Sequence, residues 1–527
     1  MNNKLKSIIF YLTLFLFITL VSFQANSVDF DLFARLLQGK AFWQLGNILH
    51  HDIFSYTPTH TWYDHEWGSS VVFYWVFERF GEMGFLWMKA FMLFAIFCFV
   101  IETIKLRGVK YSTPYNFLVY FFAYHSASQA GFSNTIRCTL FTYLFFAIWL
   151  YLLERTRLKK EYFWLVTFIP MMLFWLNIHG GCVAGLGLVV LYAIGEALNK
   201  KPFKYYIFTI IGCSLITLVN PYGWDYVKFL IMATTMPRIL IAEWQPTFCE
   251  FNSGAFLGFK TYLLAVLSVI LARLVMKFKS LKNIDYTKAL ILFVMTYLSL
   301  KYTRHQPFFV FCTLVFLYDD FYRLISVVTS KLIKSEKIRQ HLENIKVIFL
   351  FLFVAIATIG WFSLNKPQMV IQHYEYPVKV IEFLKLNNIK GNILVDFQEG
   401  SYTAYKLYPN NLIAMDGRYE EVYPDYMLPL FNNFFMQAGE NPNLLLEKFR
   451  PDIIVVRKRF DKAKEYLNQD KSYKKVYADK HYTLYLDKAL LKKDYKQPTD
   501  SNDYYNKTMF DSNLRFKKLK SKKISKS

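Results

Sequence analysis

No Cys-X-X-Cys pair occurs among the six cysteines, Cys98, Cys138, Cys182, Cys213, Cys249 and Cys312, and none follows Cys312. Neither a zinc site nor a disulfide framework is indicated. Most of these thiols lie in or beside apolar segments, where a buried free cysteine is the ordinary state. Charge is also scarce: 19% of the 527 residues are charged, below the rough quarter usual for soluble domains. No internal repeat is evident. Residues 24–28 make a poor small-residue cleavage site, so the apolar run that follows Lys4 and Lys6 reads as a retained first helix and not as a signal peptide.

What is present is apolar and aromatic. Hydrophobic residues are 54% of the chain, with Phe 53 and Tyr 38, as expected where rings fill lipid-facing surfaces and interfaces. The formal net charge of +23 invites a nucleic-acid reading. The Lys and Arg fall in short runs between apolar segments, however, a pattern that orients a membrane protein. No nucleic-acid partner is therefore expected.

A spanning helix needs about 20 mostly apolar residues. Residues 7–24, 84–101, 114–130, 137–153, 162–178, 181–198, 204–220, 257–276, 287–302, 307–326 and 346–363 qualify, which makes eleven spans. With the N-terminus in the cytoplasm, the inner connections carry Lys105, Arg107 and Lys110, then Arg155, Arg157, Lys159 and Lys160. Lys200, Lys201 and Lys204 follow, then Lys277, Lys279 and Lys282, and a run from Lys331 to Lys346. The outer connections hold few basic residues, as the positive-inside rule requires. An error of one span would spoil the alternation from that point on.

The expected fold class is thus mainly α: a polytopic transmembrane bundle over residues 1–363, with a first outer loop at 25–83 and a C-terminal extracytoplasmic α/β domain at 368–490. Within that domain, residues 379–386, 424–436 and 444–449 have helical spacing, while 392–395, 412–415, 452–456 and 481–486 read as strands. Residues 491–527 form a basic tail with the composition of a disordered segment, either solvated or touching anionic head groups. The location is a cell membrane, multi-pass, and the inner one in a cell that has two.

With direction assigned, the polar motifs gather on the outer side. Polar groups at membrane depth are costly, so their convergence argues for a site. Asp29 and Asp31 follow the first span and are suited to serve as base and orienter; alternatively, Asp is a good helix N-cap. His50, His51 and Asp52 carry ligand-type side chains, but adjacent positions rarely converge on one metal ion. Asp64, His65, Glu66 and Trp67 form a site or an interfacial anchor. Asn177 and His179 bind substrate or satisfy a helix end, beside Gly180 and Gly181. Asn220 opens a turn in the loop that also carries Glu243. Arg304, and Arg137 as its partner or substitute, offer a planar donor fork to a phosphate, unless they are snorkelling residues.

These motifs, in order, resemble a bacterial family of membrane glycosyltransferases with the GT-C fold, relatives of the protein mannosyltransferases and of the aminoarabinose transferases that modify lipid A. The resemblance runs over nearly the whole chain. It passes through Asp29-Phe-Asp31, Asp52-Ile-Phe-Ser55, His65-Glu66-Trp67, Asn177-Ile-His179-Gly180-Gly181 and Asn220-Pro221-Tyr222-Gly223. It continues with Glu243-Trp244, Arg304, Glu399-Gly400-Ser401-Tyr402 and Asp416-Gly417-Arg418. It implies an acid of the first outer loop, Asp29 or Asp31, as base on the acceptor, with Glu66 beside them in the catalytic set. It also implies a polyprenyl-phosphate sugar as donor, and a glycan, lipid or protein as acceptor. The family often has Arg-Pro-Gln and Arg-Asn where this chain has Arg137-Cys138-Thr139 and Arg304-His305. Arg304, Arg137, His179, Asn177, His65, Asp52, Asn220 and Glu243 are the expected substrate-binding residues. No cofactor is required, no metal site is assigned, and the reading admits a divalent cation.

Two rival functions differ in observable ways. A flippase for lipid-linked sugars needs paired discontinuous helices in its two halves, which the sequence does not suggest. A non-catalytic envelope assembly protein would use the outer domain to bind a glycan or partner. Only the transferase consumes the donor.

Overall fold

The structure, a computed structural model, describes residues 2–499 except 109–113, 129–134, 237, 239–240, 277–283, 333–334, 373, 437–440 and 442. The basic run from Arg515 to Lys526 and the inner residues Lys110, Lys277, Lys279 and Lys282 lie outside them. The chain folds as two compact units. One is Met1–Asn26 with Glu82–Gln368; the other is Ser27–Gly81 with Met369–Ser527. The segment read from sequence as the first outer loop thus belongs to the same unit as the C-terminal α/β region.

The first unit is helical. The described residues of each apolar stretch named above lie mainly on a helix, because a 20-residue apolar run can satisfy its own backbone only by intrasegment hydrogen bonds. Asn3–Gln24, Leu257–Leu274, Asn344–Leu364 and a stretch within Trp67–Leu106 are long and apolar enough to cross a membrane. Shorter apolar helices run over Tyr162–Ile178, Cys182–Leu198 and Lys204–Ile216. Helix Trp67–Leu106 breaks at Gly81, where φ is 61°, a backbone state that glycine adopts without cost.

A buried ionic network ties three helices of this unit at one end. Arg157 on Thr139–Lys159 donates to Glu196 on Cys182–Leu198 at 2.7 Å and lies 2.5 Å from Asp285, the N-cap of Tyr286–Lys301. Glu154, fully buried, accepts from Arg107 at 2.6 Å and from the Tyr192 hydroxyl at 2.8 Å. Charges buried this deeply persist because each has a partner.

The second unit is built on a five-stranded sheet of order β2-β1-β3-β5-β4. The strands are β1 Gly391–Leu394, β2 Asn411–Ile413, β3 Ile453–Arg457, β4 Tyr473–Ala478 and β5 Tyr482–Asp487. β1 pairs in parallel with β2 and β3, while β5 runs antiparallel to β3 and β4. Ser55 bridges in parallel to Ile413 on β2, so residues 54–56 extend the sheet by one short edge. Helix Phe30–Leu45 lies on helix Phe397–Leu407 through Phe33, whose ring meets Tyr402 and Tyr405 at 4.8 and 5.6 Å. Gly39 allows a close crossing with helix Trp67–Leu106, since a Cβ there would stand 2.1 Å from the Ser70 carbonyl oxygen.

Candidate active site

The chain passes from β1 through helix Phe397–Leu407 to β2 on one side, then crosses β1 to reach β3 on the other. The C-terminal ends of β1 and β3 are therefore a topological switch point, where open α/β sheets form a crevice. Asp29 and Asp31 come to this edge. A Cβ built on Gly417, just beyond β2, would lie 3.3 Å from Asp31 Oδ1. Phe30 between the two acids packs on Tyr376 at 5.1 Å, and the Arg457 guanidinium at the end of β3 sits 5.9 Å over the Phe30 ring. The two acids differ in state. Asp29 is buried and caps helix Phe30–Leu45, accepting from the Asp31 amide at 3.0 Å. Asp31 is exposed.

Behind this edge Glu399 is fully buried. Arg457 Nε donates to it and the Tyr482 hydroxyl donates at 3.0 Å. Burial pushes the Glu399 carboxyl up to about 8 against the pull of Arg457. Glu375, whose carbonyl accepts from Arg457 Nη2 at 3.2 Å, is raised by burial and by the charge of Asp29, with Arg457 opposing.

A second cluster centres on Arg35, one helical turn past Asp31. Its guanidinium is 2.8 Å from Asp64, 3.3 Å from Glu66 and 3.9 Å from Glu421. His65 Nδ1 lies 3.1 Å from Glu421 Oε1, and Trp62 Nε1 donates to Glu421 Oε2 at 2.8 Å. Burial opposes a charge on His65, but Glu421 and then Glu66 outweigh it and bring the imidazole up to about 9. Burial likewise opposes ionisation of Glu421, and the cationic His65 and Arg35 hold its carboxyl below the usual range. His65, Glu66 and Glu421 offer ligand atoms within 4.8 Å of one another, the metal-type grouping found among the described residues. Arg35 already supplies the compensating cation there, so this donor set fits a divalent ion poorly unless the guanidinium withdraws. A cavity of about 20 Å³ beside it, lined by Gln38, Trp62, Asp64 and Ser70, has room for a water-sized species.

Asp52, expected to bind substrate, has its side chain buried. It is 2.7 Å from Arg418 Nη1, and Arg418 Nε lies 2.9 Å from Asp416. Asp52 Oδ2 also accepts from the Ser55 amide at 2.8 Å. The Arg418 guanidinium rests 4.7 Å over the Trp62 ring, which joins this triad to the Arg35 cluster.

The first unit carries a basic cluster of its own. Arg137 donates to Glu243, and Arg304 stands 4.0 Å from the other oxygen of that carboxylate. The guanidinium groups of Arg238 and Arg304 lie 4.4 and 5.1 Å over the Trp244 ring. Burial works against ionisation of Glu243, but Arg137 and Arg304 outweigh it and hold the carboxyl low. Two guanidinium groups face one carboxylate, with a third, Arg238, on the neighbouring Trp244 ring, and Arg137 and Arg304 are each more than a quarter exposed. The cluster therefore keeps positive charge available to an anion.

The remaining candidates of this unit make local contacts. His179, buried at the end of helix Phe168–Ile178, accepts from the Gly181 amide at Nδ1 (2.8 Å) and faces Thr142 Oγ1 at 2.8 Å. An acceptor Nδ1 places the neutral ring's proton on Nε2. Asn177 Nδ2 donates to the Leu173 carbonyl at 2.8 Å. Asn220 donates to Thr217 O at 2.7 Å and accepts from the Tyr222 amide at 2.7 Å, so its side chain builds its own turn.

Residue patterns did not single out Arg35, Glu421, Arg238, Glu375 or Arg457. Arg35 carried a signal, since it follows Asp31 at i+4 on a helix face. Glu421 and Arg457 did not, because their partners lie hundreds or scores of residues away.

The architecture combines helices long and apolar enough to cross a membrane with a small α/β unit. Among the solved structures that the chain matches is an Archaeoglobus fulgidus oligosaccharyltransferase, tethered by a disulfide bond to an acceptor peptide containing the NVT sequon. The TM-score is 0.52 at 11% identity, over 85% of this chain and 69% of that one. At that identity the likeness concerns the fold. No family model matches the chain, and no curated protein matches it.

Proposed function

We propose that this chain is a membrane glycosyltransferase that moves a sugar from a polyprenyl-phosphate donor to an acceptor outside the cytoplasm. In this reading the eleven spans hold with the N-terminus inside, and the α/β unit is extracytoplasmic. Asp31 takes the proton from an acceptor hydroxyl as its oxygen attacks the anomeric carbon. The bond from that carbon to the phosphate oxygen breaks, and the electron pair leaves with the polyprenyl phosphate. Arg304 and Arg137 stabilise that departing charge. One displacement inverts the anomeric centre.

The observation that carries the reading is the pair of part-exposed guanidinium groups, Arg137 and Arg304, that face the single carboxylate of Glu243, on a fold shared with an oligosaccharyltransferase. Of the two first-loop acids, Asp31 is the base because Asp29 is buried and engaged as an N-cap. In proteoliposomes supplied with a lipid-phosphate sugar, D31N should lower donor consumption by about 10²–10⁴, the usual range for a lost general base. D29A should mainly cost about 1 kcal/mol of stability through the lost cap, and D29N, which keeps the capping oxygen, little. A D31N protein that turns over normally would remove Asp31 from the mechanism; a protein that moves donor without consuming it would make this a flippase.

A further inference from the structure

A cavity of about 260 Å³ in the second unit lies away from the acids. It opens where helices Val378–Leu386 and Phe397–Leu407 end and β1 and β2 begin, the opposite edge of the sheet from the switch point. Lys385, Lys390 and Lys406 line it together with Asn388, Tyr408 and Asn410, and its lining includes no carboxylate. Two of the lysines have a local explanation. Lys385 and Lys406 stand in the last turns of their helices, where a cation complements the helix dipole. Lys390 lies beyond either helix and has no such reason to be there.

The positive field extends past the lining. Asn387 holds the C-terminal segment alongside: Lys492 Nζ donates to its carbonyl, and the Lys496 amide donates to Asn387 Oδ1 at 2.8 Å. Tyr408 is half-buried, with its ring fixed edge-on against Phe54 at 5.0 Å. The wall thus combines ammonium groups, side-chain amides that both donate and accept and one oriented aromatic ring. A purely anionic ligand would use the first of these alone. A sugar bearing a carboxylate uses all three, through its charge, its hydroxyls and its C–H face.

We propose that this cavity binds one acidic sugar residue of a glycan, apart from the reacting centre. The anionic half of the assignment stands on the lysines; the sugar half rests on the transferase reading. The test uses the full chain in phosphatidylcholine nanodiscs, with calorimetric titration of trigalacturonate, maltotriose and inorganic phosphate and no donor present. Trigalacturonate should bind at least about tenfold more tightly than maltotriose, a difference near 1.4 kcal/mol, and should weaken as salt rises. The exposed lysines allow K385S/K390S to fold, and this variant should lose about tenfold in affinity, with K385R/K390R restoring it. N388A should loosen trigalacturonate and leave phosphate unchanged. Equal binding of the acidic and neutral trisaccharides, or wild-type affinity in K385S/K390S, would overturn the proposal; phosphate binding as tightly as trigalacturonate would overturn its sugar half. Donor consumption by the same preparations separates the two readings. Normal transfer with no saccharide binding removes this site alone, and saccharide binding without transfer removes the catalytic reading alone.

Discussion

Replacing Arg418 with Met tests whether the Asp52–Arg418–Asp416 triad is a structural post of the second unit. The guanidinium and both carboxylates are at most 1% exposed at their side chains. Removing the cation leaves two carboxylates facing each other out of water, a change that costs about 3–5 kcal/mol in buried pairs. Asp52 keeps the amides of Phe54 and Ser55, at 3.3 and 2.8 Å, so the lower part of that range is expected, about 3 kcal/mol. For a unit of this size each kcal/mol moves a thermal midpoint by about 2–4 °C, which sets the expected fall near 10 °C. Tryptophan fluorescence during a ramp at fixed scan rate suits the measurement, because Trp62 lies against Arg418. Thiol-reactive dyes do not, since all six cysteines belong to the first unit. A companion variant, R418M/D52N/D416N, removes all three charges and keeps the oxygens that accept from the Phe54, Ser55 and Arg418 amides, and should recover part of the loss. A fall of under about 2 °C in R418M, less than 1 kcal/mol by the same conversion, would refute the reasoning.

Three other outcomes follow from the geometry. His65 is raised to about 9 by Glu421, above its unfolded value near 6.5, so its stabilisation is complete below about 6.5 and fades as pH rises through 9. H65Q should therefore destabilise the protein more at pH 6 than at pH 10, by no more than about 3 kcal/mol, and by less given that the side chain is 21% exposed; a pH-independent loss in thermal ramps would contradict this. R304A should lower kcat/KM for a lipid-phosphate donor by about a hundredfold while leaving the thermal midpoint within a few degrees, and an unchanged kcat/KM would take Arg304 out of the donor site. G39A forces a methyl group to 2.1 Å from the Ser70 carbonyl, an overpacking against backbone expected to cost about 1–3 kcal/mol, read by the same fluorescence ramp, with no change contradicting the close crossing.

The helices of the first unit were legible because hydropathy at the 20-residue scale admits one backbone solution in lipid. Strands β1, β2, β3 and β5 also begin or end within two residues of the apolar runs that suggested them. What escaped the sequence escaped for physical reasons. Helix Phe397–Leu407 buries Glu399, Ser401, Thr403 and Lys406 along with its apolar residues, so its inner face shows no apolar stripe to read. Strand β4 is an edge with Lys474 and Lys475 exposed, which is how an edge strand discourages pairing and also how it hides. The union of Ser27–Gly81 with the C-terminal region rests on backbone bonds such as Tyr56 N to Ile413 O at 3.1 Å, and no side-chain pattern encodes those. In the candidate site, Asp29 as an N-cap was written in the local sequence, whereas Arg35 with Glu421 and Asp52 with Arg418 are pairings across more than 350 residues.

That union bears on where the chemistry can reside. Asp31 reaches the sheet's C-terminal edge because helix Phe30–Leu45 packs on Phe397–Leu407 through aromatic rings, and because Tyr376 reaches back to the Val28 carbonyl at 3.4 Å. Without residues 369–499 the helix loses Tyr376, Tyr402 and Tyr405, and Arg35 and Asp52 lose Glu421 and Arg418. A chain truncated at Gln368 would keep Asp29 and Asp31 in sequence but not their setting, and would leave the Arg35 and Asp52 charges without their buried partners. The α/β unit is thus the scaffold that holds the proposed base, and under the transferase reading the truncated chain should lack transfer even where its helices insert.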